Sequence, residues 1–137
     1  MSIQWSTTVR NAILDQIEST ISTSAVLKIY DLTAGAPANC AASITATVLA
    51  TMTLPSDGMA AASSGSKALS GTWQDASADG TGTADFFRLF ASDGTTCHMQ
   101  GTVTATGGGG DMTLDNTSIA SGQTVNVTTF TLTAPGA

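Results

Sequence analysis

Two stretches with a period of two, flanking one turn, constrain this chain more than anything else in it. In Thr83–Ala91 the residues Phe87, Leu89 and Ala91 alternate with Phe86, Arg88 and Phe90. In Thr96–Ala105 the residues Cys97, Met99, Gly101, Val103 and Ala105 alternate with His98, Gln100, Thr102 and Thr104. That period sets each group on one face of a strand. Ser92-Asp93-Gly94 lies between them, so together they predict a β-hairpin. The buried face decides the register, because a slip of one residue turns every side chain over. A two-residue Asp93-Gly94 loop would pair Phe90 with Cys97 and put Arg88 opposite Met99, on the apolar face. A three-residue loop with Gly94 left-handed pairs Leu89 with Cys97, Phe87 with Met99 and Arg88 with His98, and is the register expected.

Around the hairpin the sequence predicts more strands and one helix. Val9, Ile13, Ile17 and Ile21 recur every four residues, while Arg10, Asn11, Asp15, Glu18 and Ser19 take the other side. This is an amphipathic helix over 6–21, with Ser6 as N-cap and an apolar stripe to lay on the sheet of its own domain. Ala25–Asp31 is a short strand. Ser43–Leu54 alternates most cleanly, with Ile44, Ala46, Val48, Ala50, Met52 and Leu54 on one face and threonines on the other. Pro55–Gly58 is a turn, and Met59–Gly65 is either a helical turn or an irregular crossing. Lys67–Asp75 is a strand through Leu69, Gly71 and Trp73. Gly107–Gly110 reads as a flexible link, and Asp111–Asp115 as a brief strand. Thr124–Thr133 is the last strand, with a phase shift that a bulge near Thr128 explains. Seven or eight short strands with frequent turns predict a mainly β fold, a β-sandwich or jelly-roll-like domain or a small barrel, with one N-terminal helix. The 137 residues are expected to form a single domain, 1–137, with the β part over 25–134.

Composition narrows the function classes. Only 10 % of residues are charged, against about a quarter in a typical soluble domain. Ser, Thr, Asn and Gly must therefore supply the polar surface, which suits β-rich proteins packed against neighbours or exposed in rigid shells. The net charge is −6, and the four bases, Arg10, Lys28, Lys67 and Arg88, are scattered. Nucleic acid is therefore not an expected partner. No apolar run is long enough to span a membrane, so none is expected there either. MSIQWSTTVR lacks the basic start and apolar run of a signal peptide, which predicts synthesis and folding in a cytoplasm. Cys40 and Cys97 are too few for a disulfide framework. Two reduced, partly buried thiols are the favoured reading; a Cys40–Cys97 or an intersubunit bridge is the alternative, which spacing cannot decide.

No stretch carries the pattern of catalysis, so no enzyme, cofactor or metal is expected. His98 is the sole histidine, and a base needs a nucleophile and an orienting group beside it. Gly107–Gly110 lacks the Lys-Ser/Thr and helix of a phosphate loop. Asp75, Asp79 and Asp85 flank a glycine-containing loop without the spacing of a calcium loop. The sequons at Asn116 and Asn126 are chance matches without a secretory signal. Trp5, Trp73, Phe86 and Phe90 are the interface candidates, since aromatics among so few charges are either core or anchors for a partner.

The stretches WSTTVRNAILDQIE, LKIYD, PANCAA, LATMTLPSDGMAAASSGSKALSGTWQDASADGTGTA, SDGTTCHMQGTV and GGGGDMTLDNTSIASGQTVNVTTFTLTAPGA resemble a family of small proteins encoded among the virion genes of tailed bacteriophages. The resemblance spans nearly the whole chain. It implies a structural component of the virion, made in the bacterial host cytoplasm. By analogy with small β-rich head proteins, it implies a capsid decoration or cement protein. The partners would then be the major capsid protein and copies of itself, as a homo-oligomer. The alternative is a tail, collar or fibre-associated virion protein with a host- or carbohydrate-facing role. Trp73 with Asp75 and Asp79 is the grouping that alternative would use.

Overall fold

The computed structural model describes residues 1–137. After helix α1 (Thr7–Ile21) come nine strands: β1 (Val26–Asp31), β2 (Val48–Thr53), β3 (Ser66–Ala68), β4 (Gln74–Asp75), β5 (Gly82–Phe90), β6 (Cys97–Ala105), β7 (Met112–Leu114), β8 (Ser118–Ile119) and β9 (Val125–Thr133). The fold is mainly β and β-sandwich-like. One curled, mixed sheet runs in the order β2-β1-β5-β6-β7-β9-β3, with β4 on β9 and β8 on β5.

The curl is closed by the segment after Trp73. Its strand β4 pairs with β9, while the Asp75 carboxylate accepts from Thr51 N–H on β2 at 2.9 Å. Asp79 N–H donates to Leu49 C=O of the same strand at 2.8 Å. A Cβ on Gly80 would lie 2.8 Å from the Val48 carbonyl oxygen, so only glycine lets the segment approach β2 this closely. Inside the curl, Phe130 stands between Trp73 and Phe87 as the aromatic centre, with its ring centroid 5.4 Å from that of Trp73 and 5.6 Å from that of Phe87. Trp73 is 1 % exposed, and its indole N–H donates to Gly58 C=O at 3.0 Å.

The hairpin forms at the expected place with a different register. The Ala91 N–H to Thr96 C=O bond closes a loop over residues 92–95, one residue longer than expected. Gly94 is left-handed, at φ 71°. Phe90 pairs with Cys97, a bulge follows, and then Leu89 pairs with Met99, Arg88 with Gln100 and Phe87 with Gly101. The expected pairs Leu89–Cys97, Phe87–Met99 and Arg88–His98 are therefore replaced. The Phe87 ring needs the space over Gly101, where a Cβ would lie 2.7 Å from it.

Three further elements depart from expectation. The strand expected over Ser43–Leu54 is regular only from Val48, because Asp31 ends the neighbouring strand and binds Thr47 N–H through its carboxylate at 3.1 Å. The strand expected over Lys67–Asp75 divides into β3 and β4, which pair with opposite ends of β9 around Gly71 at φ 74°. In the Gly107–Gly110 run, Gly107 and Gly109 stand in open space while Gly108 and Gly110 lie against Thr104. The run folds back so that β7 lies parallel to β6, and a Cβ on Gly108 or Gly110 would meet Thr104 at 2.7 or 2.9 Å. The expected bulge at Thr128 is present: Thr113 pairs with Thr129 and Leu114 with Val127.

Candidate functional site

The helix meets the domain with its polar side together with buried Leu14 and Ile21. Ser6 caps it, accepting from Val9 N–H at 3.3 Å. Asn11, Asp15 and Glu18 accept backbone N–H bonds from Gly65, Ala62 and Met59 at 2.9, 3.1 and 3.2 Å. Lys67 of β3 is 2 % exposed and lies 2.7 Å from both the Asp15 and Glu18 carboxylates. Arg10 donates through Nε and Nη2 to Ala134 C=O at 3.2 and 2.8 Å. Asn11, Asp15 and Glu18 thus satisfy N–H groups of the irregular Met59–Gly65 segment that β3 does not reach, while Ala60 and Ser63 N–H donate to Ala68 and Ser66 C=O of that strand. Burial by itself would lower the Lys67 ammonium, but the two carboxylates outweigh it and hold it above its ordinary value. The Lys67 hydrogen bond, helped by Ala62 N–H, keeps Asp15 below the usual carboxylate range.

That docking leaves only the N-terminal part of the apolar stripe outside. Its C-terminal part lies on the domain as expected: Ile21 is buried in the core and Ile17 packs half-buried against it, while Val9 is 46 % exposed. With Ala12, Ile13 and Gln16, and His98 on the far wall, they line an open groove of about 630 Å³. Strand β6 adds a second open feature there. Its β7 partner begins only at Val103, so residues 98–101 have no strand on that edge. His98 sits at the bulge and faces this groove rather than Arg88.

Of the four aromatic interface candidates, Trp5 stays at the surface, 41 % exposed, with its N–H on Gly136 C=O at 2.8 Å. It immediately precedes the open helix. Trp73, Phe86 and Phe90 are buried. Trp73 belongs to the core, and Phe86 stacks on Tyr30 at 4.8 Å on the opposite face of the sheet. The Trp73, Asp75 and Asp79 grouping is likewise structural: Asp75 accepts from Thr51 and Ser77 N–H, and Asp79 N–H is tied to Leu49. No cluster of three or more potential metal-ligating side chains is present, and no helix is long and apolar enough to cross a membrane.

Sequence reasoning found the stripe but not its openness. The missing signal lay in the acids opposite it, which are spaced to bind backbone N–H groups as well as to face water. The thiols also differ from the favoured reading: Cys40 and Cys97 form a disulfide, with Cα atoms 5.5 Å apart. The hairpin bulge turns Cys97 away from the core face, toward the loop that carries Cys40. Compared with known proteins, the chain matches no family model, no curated protein and no solved structure.

Proposed function

We propose that this protein is a structural component of a tailed-phage virion, a capsid decoration or cement protein that docks on the shell of major capsid protein. The observation that carries the reading is the uncovered N-terminal part of the α1 stripe, Val9 and Ala12 with half-buried Ile13, flanked by exposed Trp5 and the unpaired edge of β6. An apolar helix face that its own domain leaves open is suited to burial against another protein surface. The two acids of the helix lie on its far side, bridged by Lys67, and neither lines the groove. The rigid closed sheet behind α1 presents that face without the ordering cost a flexible segment would incur. The resemblance drawn from the sequence, with the analogy to small β-rich head proteins, is what suggests the major capsid protein as the partner.

The test is co-sedimentation of the purified protein with shells assembled from the major capsid protein alone. Stoichiometric pelleting of the wild type is expected. The double variant Val9→Gln/Ile13→Gln should stay in the supernatant while melting within a few degrees of the wild type. Wild-type protein left in the supernatant, though present in intact virions, overturns the cement reading and moves the search to the tail and collar.

A further inference from the structure

The sheet has a second buried face, and an irregular segment covers it. Lys28, Tyr30, Phe86, Arg88, Phe90 and Gln100 alternate with core residues of β1, β5 and β6 and so point away from the core. Tyr30, Phe86, Arg88 and Phe90 are nonetheless buried. Residues 32–47 cross over this face without helix or strand. Arg88 Nη2 donates to Asn39 C=O and Ala42 C=O at 2.8 Å each, and Arg88 Nε to Gln100 Oε1 at 3.1 Å. Gln100 Nε2 donates to Pro37 C=O at 2.7 Å. The Cys40–Cys97 bond joins the middle of the segment to the first residue of β6. At its neck, Asp31 N–H donates to Thr47 C=O at 3.0 Å.

We propose that residues 32–47 are a redox-fastened strap. The disulfide holds it shut, and reduction lets it lift from the aromatic, cationic face beneath. The strap's own composition is the reason the bond matters. Apart from Leu32, which is itself exposed, and half-buried Ile44, it consists mainly of Ala, Gly, Pro, Asn, Ser and Thr. Such a segment buries little apolar surface of its own. A few hydrogen bonds to backbone carbonyls, each worth little net against water, and the cover over the Tyr30, Phe86 and Phe90 rings are then what remains once the cross-link is gone. Both cysteines are half-buried and Cys40 lies between exposed Asn39 and Ala41, so a small thiol can reach the bond. The step is thiol–disulfide exchange with a low-molecular-weight thiol or dithiol. A thiolate attacks one sulfur, the S–S bond breaks, and a second thiolate resolves the mixed disulfide. Cys40 and Cys97 gain two electrons and two protons in all, and the reductant leaves as its own disulfide. An oxidising compartment keeps the strap closed, and a reducing one frees it. This inference stands apart from the reading of function.

Hydrogen–deuterium exchange on the full chain tests it, comparing the oxidised protein with the same protein held in a phosphine reductant. Amides of residues 33–46 are expected to exchange at least about 10-fold faster after reduction, while those of β5 and β9 keep their rates. Cys40→Ser and Cys97→Ser should each reproduce that pattern without reductant. Strap rates changed by less than about twofold would overturn the proposal, because the hydrogen bonds alone would then hold it. Exchange that quickens equally in the core strands would overturn it too, since the bond would then be a staple of the whole fold.

Discussion

Gly101 sets the hairpin register. Its missing side chain makes room for the Phe87 ring, and the Asp111 carboxylate, which accepts from Thr102 N–H at 2.9 Å, closes the other side. Gly101→Ala forces either the ring or the carboxylate to move. A loss of about 1–3 kcal/mol is expected, as for other overpacked cores, read from the midpoint of urea unfolding with an unchanged slope. The sequence showed Gly101 on a core-facing position but not which ring filled the space above it. Arg88 decides the face of its strand but not its partner. It lies off the core face as expected, yet opposite Gln100 rather than His98, because the chain bulges at His98 and shifts the pairing; residues 32–47 bury it and pair it with two carbonyls.

Among the elements, α1 is held by polar contacts as well as by buried Leu14 and Ile21, and Lys67 joins two of the acids that make them. Lys67→Ala removes the ammonium between two carboxylates that remain partly in water, with Asp15 52 % and Glu18 28 % exposed. The expected cost is about 2 kcal/mol, below that of breaking a fully buried pair, because the stranded acids can be solvated. A double-mutant cycle with Glu18→Gln, followed by urea unfolding, reads the coupling; a cycle that sums to zero would mean the helix is held by something else. Features fixed within a few residues were legible beforehand: the Ser6 cap, the helix span, left-handed Gly94 and the bulge at Thr128. Features set by partners far along the chain were not. The polar side of α1 is bound by the Met59–Gly65 segment and Lys67, and the division of Lys67–Asp75 follows from pairing with two ends of β9. The alternation of Ser43–Leu54 promised a longer strand than its neighbour could pair with.

For the molecule as a whole, these charges define a pH window. Asp31 is held below its ordinary value of 3.8, first by the Thr33 hydroxyl and then, against the opposing effect of burial, by Thr47 and Thr33 N–H groups. Asp15 and Asp93 are lowered as well, Asp93 chiefly by the Thr96 hydroxyl and backbone. A carboxylate depressed on folding contributes stability that is present above its unfolded value and lost as pH falls through the folded one. The acid edge therefore begins near 3.8 and deepens below it. Lys67 works in the opposite sense. Raised above 10.5 on folding, it contributes stability that is present below 10.5 and lost as pH rises through its higher folded value. Tyr30 adds to the same alkaline edge, because burial, opposed by Arg88, lifts its phenol above 10.0 and ionisation would strand a charge beneath the strap. Melting temperature measured against pH should thus be flat between the two edges and fall outside both. Asp31→Asn should lower the plateau, by losing charge-assisted bonds to Thr33 and Thr47, and shallow the acid edge. Lys67→Met should shallow the alkaline edge without removing it, since Tyr30 remains. An acid edge identical in Asp31→Asn and wild type would show that the Asp31 cluster at the neck of the strap does not carry the acid sensitivity of the fold.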